Sequence, residues 1–235
     1  MKKMIIASTS TVFDGSYLDY LLPKLELHFK DCNTITFVPY ARPSGLTHDE
    51  YTEKVSVAFQ KINKKVVGLH TIENPKEAIE KAEALFTGGG NTFLLVSQLY
   101  KNDVMDAIKQ VVRGGTPYLG TSAGSNICGL TMGTTNDMPI VYPPSFQTLG
   151  LVPFNINPHY LDPAPGSTHM GETRETRINE FHFYNPQPVV GLREGSWLEV
   201  EGGKITLEGT LDARIFVQNK EAYEVPSGSD LSELK

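Results

Sequence analysis

The chain has only two cysteines in 235 residues, Cys32 and Cys128. They stand far apart and form no CxxC pair. That excludes a disulfide framework and points to a reduced, cytoplasmic setting. No apolar run approaches the roughly 20 residues of a membrane span. The first such run, Met4-Ile5-Ile6-Ala7, is also too short for a signal-peptide core. Positive charge is scarce: 21 Lys and Arg stand against 27 Asp and Glu, a net −6. With a pI near 5.5, the chain lacks the clustered Lys and Arg of a nucleic-acid groove. The one basic cluster, Lys61, Lys64 and Lys65, reads as a solvated face at a helix end. Neither membrane nor nucleic acid is an expected partner.

A hydrophobic content of 40% with 20% charged residues is enough for a buried core. Short β-branched runs alternate with longer amphipathic segments. Strands are expected at Met4–Ser8, Thr34–Pro39, Lys65–Leu69, Ala84–Thr87 and Pro117–Leu119. Helices are expected over Ser16–Phe29, His48–Ile62, Lys76–Ala84, from Asn91 onward and over Asp103–Val112. Thr47 and Glu50 form a capping box, and Asn74-Pro75 opens the third helix. This alternation implies an α/β fold whose mostly parallel sheet is covered on both faces. Beyond Thr131 prolines break the pattern, leaving a helix near Glu172–Phe181. The C-terminal region then holds strands at Ser196–Glu201, Lys204–Glu208 and Arg214–Val217, the first two turning at Glu201-Gly202-Gly203 as a hairpin. With no repeat, low-complexity tract or long linker, residues 1–235 read as a single α/β domain.

The sharpest local feature is Gly120-Thr121-Ser122-Ala123-Gly124. It fits G-x-S-x-G between an expected strand and an expected helix, the context a nucleophile elbow requires. Small residues permit the tight turn, Ser122 projects above the sheet edge, and the Ala123 amide faces a developing oxyanion. Gly88-Gly89-Gly90 also follows a strand and precedes a helix. Its amides at Gly89 and Gly90 are candidates for a second oxyanion donor.

A serine hydroxyl needs a general base. Of six histidines, His28, His48 and His182 read as surface or capping residues. Nothing local supports His70 or His169. His159 ends an alternating strand, Phe154 to Pro158, at a proline-fixed turn beyond the nucleophile in sequence, so it is the favoured base. The orienting carboxylate stays open between Asp137, in a turn-rich stretch, and Glu194, just past the Val189–Val190 strand.

GGGNTF (Gly88–Phe93), GTSAGSN (Gly120–Asn126), TTNDMPIV (Thr134–Val141), INPHY (Ile156–Tyr160) and GETRETRI (Gly171–Ile178) occur in that order. Together they closely resemble the α-aspartyl dipeptidases of serine peptidase family S51, from about residue 4 to 218. The resemblance implies a sandwich akin to class I glutamine amidotransferases, with Ser in place of their Cys. It also implies cleavage of small peptides with an N-terminal aspartate, and no metal or other cofactor. Ser122 then falls at the nucleophile and His159 at the base, while Asp137 and Glu194 both remain carboxylates for the acid. Arg174 falls at the residue that receives the aspartate side chain, a role suited to a bidentate guanidinium. The helical alternative for Arg174 is an i,i+4 pair with a glutamate. A cyanophycinase-like peptidase or a non-catalytic binder of the same fold are the competing readings. Oligomeric state is open, a homodimer included.

Overall fold

The computed structural model describes residues 1–235 except 164, 165, 167 and 169, so His169 lies outside the described residues. The chain runs β1 (Lys3–Ala7), α1 (Leu22–His28), β2 (Thr34–Val38), α2 (His48–Gln60), β3 (Lys65–Gly68), α3 (Pro75–Glu80) and β4 (Leu85–Thr87). There follow α4 (Thr92–Lys101), α5 (Met105–Gly114), β5 (Tyr118–Thr121) and the one-turn α6 (Ala123–Asn126). After a long irregular stretch come β6 (Asn155–Pro158), α7 (Arg174–Phe181), β7 (Val189–Leu192), β8 (Ser196–Glu201), β9 (Lys204–Gly209), β10 (Ala213–Phe216) and β11 (Tyr223–Val225).

Seven strands form one sheet in the order β3-β2-β4-β5-β1-β8-β9. Its first five members are parallel, and the β8–β9 hairpin closes it antiparallel. Alternation along β1 explains why both faces are covered. Met4 and Ile6 join one core cluster with Leu95, Leu99 and Ile108 from α4 and α5. Ile5 and Ala7 join the other, with Leu25, Tyr51, Val55 and Phe59 from α1 and α2. A strand buried on both sides must read as a continuous apolar run, as Met4–Ala7 does. The fold is therefore α/β with a mostly parallel sheet between helices, as the alternation of elements implied.

A second sheet of four strands, β11-β10-β7-β6, carries Ile156, Val190, Leu192 and Ile215 into the same core as Met4 and Ile6. Within it β6 and β7 run parallel, with Pro158 opposite Leu192.

Several elements depart from expectation. The helix over Ser16–Phe29 is a 3-10 turn, Asp19–Leu21, followed by α1, because Pro23 sits in the first turn of α1 and Leu18 takes a left-handed φ of 62°. The helix expected to reach Ala84 stops at Glu80, since Ala84 is fully buried where the chain enters β4. β11 has no counterpart among the expected strands; Tyr-Glu-Val is a short edge pairing only with β10. His28 and His182 are buried rather than surface residues, although His182 does occupy the C-cap of α7. The Thr47–Glu50 capping box is present with both reciprocal bonds. Among the described residues no helix is long and apolar enough to cross a membrane.

Candidate active site

The elbow follows from close backbone approach. A Cβ on Gly124 would lie 2.1 Å from the Thr87 carbonyl oxygen, and one on Gly120 would lie 2.4 Å from that of Gly124. Only glycines let β5, α6 and β4 crowd this way. Ser122, between them, has φ 54° and ψ −112°, a strained backbone for a residue with a side chain. Its amide donates to the Ala7 carbonyl at 3.2 Å, and its carbonyl accepts from Ser125 and Asn126.

His159 follows β6 and also has a φ of 54°. Its Nε2 lies 2.9 Å from Ser122 Oγ, and its Nδ1 lies 2.7 Å from Glu194 Oε1. Glu194 comes just past the end of β7, the parallel neighbour of β6, so the two strand ends deliver the imidazole and the carboxylate side by side. With the Nδ1 proton directed to Glu194, Nε2 is the acceptor for the serine proton. The nucleophile thus comes from the large sheet, while the base and its carboxylate come from the small one.

Asp137 is not brought to His159. Its Oδ2 accepts the Thr92 amide and the Thr92 hydroxyl, each at 2.7 Å, and the Thr135 hydroxyl at 3.0 Å. A carboxylate at the first residue of α4 satisfies an orphan amide and faces the positive helix end. Of the two carboxylates left open by the sequence, Glu194 contacts the imidazole and Asp137 caps a helix.

The Gly88–Gly90 loop follows β4. A Cβ on Gly89 would sit 2.9 Å from Ser122 Cβ and 3.4 Å from its Oγ, so this loop borders the nucleophile. Gly90 has a φ of 143°, and a Cβ there would be 2.2 Å from the Ala41 carbonyl oxygen. Among the described residues, the amides of Gly89, Gly90 and Ala123 donate to no protein acceptor, whereas the flanking Gly88 and Asn91 amides do. Tyr51 of α2 wedges beneath the loop, its hydroxyl donating to the Gly89 carbonyl at 3.3 Å, and the Arg42 guanidinium lies 4.7 Å above the Tyr51 ring. Neither Tyr51 nor Arg42 was marked by any local motif.

Arg174 is the first residue of α7, with Thr173 as N-cap. It is half-buried and, among the described residues, makes no ion pair. The helical salt bridge does not form: the residues four positions either side are Met170 and Ile178, while Glu175 pairs with Arg214 at 3.0 Å and Glu172 lies 3.9 Å from Arg177. Burial and then the nearby Arg177 lower the pKa of Arg174, while Asp137 pulls it the other way. An unpaired, partly desolvated guanidinium is a ready receptor for a carboxylate.

A cavity of about 710 Å³ opens beside Glu194, lined by Val12, Phe13, Tyr20 and Trp197. A second, of about 780 Å³, lies between α7 and the β10 end and includes none of Ser122, His159 or Glu194. Among the described residues no three His, Cys, Asp or Glu side chains are grouped to hold a metal ion.

The sequence matches the model of Peptidase family S51 over residues 4–208. It is 49% identical over 231 residues to Peptidase E of Streptomyces coelicolor, covering 98% of this chain and 94% of that protein. It is 44% identical over 236 residues to a Drosophila melanogaster protein named "Probable alpha-aspartyl dipeptidase", covering 99% of this chain and 97% of the relative. Its fold also resembles that of a peptidase from an acI-B1 Actinobacterium, with a TM-score of 0.71 at 13% identity over 98% of this chain and 96% of the other.

Proposed function

The chain belongs to peptidase family S51 and is a serine-type dipeptidase, and on that premise we propose that it hydrolyses the bond after an N-terminal aspartate through an acyl-enzyme. The observation that carries the mechanism is the continuous chain Ser122 Oγ–His159 Nε2 and His159 Nδ1–Glu194, with both contacts under 3 Å. Ser122 Oγ attacks the carbonyl carbon as its proton passes to His159 Nε2. The Gly89, Gly90 and Ala123 amides hold the oxyanion. His159 returns the proton to the leaving amine, and the C–N bond breaks. A water then attacks the ester, giving its proton to His159, and Ser122 leaves with that proton. Glu194 holds the imidazole tautomer and stabilises the imidazolium throughout.

Arg174 supports the choice of substrate. An aspartate side chain entering a partly desolvated site needs a cation, and this guanidinium is partly buried and makes no ion pair among the described residues. Residues 1–235 act in this reading as one catalytic domain on small peptides. The test is hydrolysis of Asp-Leu by the unmodified chain and by Ser122→Ala. Turnover by the first and none by the second is expected; full turnover by Ser122→Ala would remove Ser122 as the nucleophile.

A further inference from the structure

β1 and β5 pair in parallel with Ala7 opposite Thr121, so the next residues, Ser8 and Ser122, leave the large sheet side by side. The Ala7 carbonyl accepts the Ser122 amide at 3.2 Å and the Ser125 hydroxyl at 2.6 Å. One residue on, the Ser8 hydroxyl reaches across to the small sheet. It donates to the Leu192 carbonyl at 2.7 Å and accepts the His159 amide at 2.8 Å. Ser8 is itself held by its amide, which donates to the Ser196 carbonyl at 3.0 Å, and it is fully buried.

Both of its partners lead directly to reacting groups. Leu192 ends β7, two residues before Glu194, and its carbonyl also accepts the Tyr160 amide at 3.1 Å. His159 carries a left-handed backbone without being glycine, a conformation that persists only where surrounding contacts over-determine it. The bond to Ser8 Oγ is one of those contacts. Two consecutive residues at the end of β1 therefore fasten the nucleophile's backbone on one side and the base's backbone on the other.

We propose that Ser8 is a positioning residue for the hydrolysis: its hydroxyl locks the end of β7 and the His159 backbone together, so that the imidazole stands between Ser122 Oγ and Glu194. The inference rests on reading Ser122, His159 and Glu194 as the reacting residues. Ser8 hydrogen-bonds none of these three side chains and acts through the backbone. The sheet does not depend on this hydroxyl, because β1 is paired along its length with β5 and β8 through backbone bonds. Loss of the hydroxyl is therefore felt as misplacement of the base, and small misplacements of catalytic groups cost about 10²-fold in rate.

The experiment is a double-mutant cycle of Ser8→Ala with His159→Ala, with kcat and KM measured on Asp-Leu and the melting temperature recorded for each variant. Ser8→Ala should lower kcat by about 10²-fold, leave KM within about twofold and keep a cooperative melt. In the His159→Ala background it should cost nothing further, because residues that act through one group are not additive. Wild-type kcat in Ser8→Ala, or an equal loss in both backgrounds, overturns the proposal. If Ser8→Ala does not fold, Ser8→Cys, near in size but a weak hydrogen-bonding partner, takes its place with the same readings. Failure of the unmodified chain on Asp-Leu would instead count against the substrate. The rate of Ser122 labelling by a fluorophosphonate then replaces kcat, with the same outcomes deciding for or against Ser8.

Discussion

Glu194 Oε1 and His159 Nδ1 lie 2.7 Å apart across 35 residues of sequence, and the contact exists because β6 and β7 end next to one another. It separates two carboxylates with comparable sequence credentials. Glu194→Gln should keep the shape but permit the wrong imidazole tautomer, lowering kcat on Asp-Leu by about 10³- to 10⁴-fold with little change in melting temperature. Asp137→Asn should do the reverse. Weakening a helix cap costs about 1 kcal/mol, or about 2–4 °C in a chain of this size, while kcat stays within about tenfold of wild type. Steady-state kinetics and thermal melts of the two variants check both. If Asp137→Asn is the inactive one, the assignment of Glu194 fails.

Two neighbouring glycines should fail differently. A methyl group at Gly89 meets Ser122 itself, at 2.9 Å from Cβ and 3.4 Å from Oγ, without a positive φ to oppose it. Gly89→Ala should fold and lose about 10²-fold or more in kcat, as when an oxyanion donor is displaced. At Gly90 the added methyl meets the Ala41 carbonyl at 2.2 Å on a backbone of φ 143°, so Gly90→Ala should lower the melting temperature or abolish folding. Circular dichroism melts alongside activity distinguish the two; a stable, active Gly89→Ala would remove that loop from the oxyanion site.

Arg174 should set the preference for aspartate over asparagine. Loss of a charge-assisted bond to a desolvated carboxylate is worth about 1.5–3 kcal/mol. Arg174→Gln should therefore lower kcat/KM on Asp-Leu by about 10- to 200-fold and leave Asn-Leu nearly unchanged. Equal losses on both peptides would mean that Arg174 serves structure rather than selection.

His28 predicts an acid-sensitive fold. Burial, aided by Lys3 and Lys24, pushes its pKa from 6.5 down to about 3. Between those values the unfolded chain binds a proton that the folded chain refuses, so stability rises with pH through this window and falls as pH drops below about 6.5. The slope from one such proton approaches about 1.4 kcal/mol per pH unit. Urea titrations between pH 4.5 and 6.5 should show that slope, and His28→Gln, provided it folds, should flatten it. An unchanged slope in the variant would exclude His28 as its source.

Much of the fold was legible because it depends on local pattern. The run Met4–Ala7 reads as a strand buried on both faces, and Thr47 with Glu50 marks the start of α2 with no tertiary contact needed. The elbow was legible for the same reason: Gly120 and Gly124 are required by approaches of 2.4 and 2.1 Å. The carboxylate was not, because its identity depends on which strands become neighbours, and the parallel pairing of β6 with β7 joins strands some thirty residues apart in sequence. Ser8 and Tyr51 were hidden for a related reason. A serine ending a strand and a tyrosine on an apolar helix face have ordinary local explanations; the meeting of the two sheets gives Ser8 its partners, and the packing of α2 under the Gly88–Gly90 loop gives Tyr51 its own. His28 misled because a histidine late in a helix resembles a C-terminal cap, while here it turns into the core.

The left-handed backbone at Ser122 has a bearing on protein engineering. That conformation costs a side-chain-bearing residue on the order of 1–3 kcal/mol, and glycine would adopt it almost freely. Heat-tolerance selection applied to this chain without an activity screen would therefore favour glycine at 122 and yield a sturdier molecule with no nucleophile. A search for durable variants has to hold that position constant and look for its gains elsewhere.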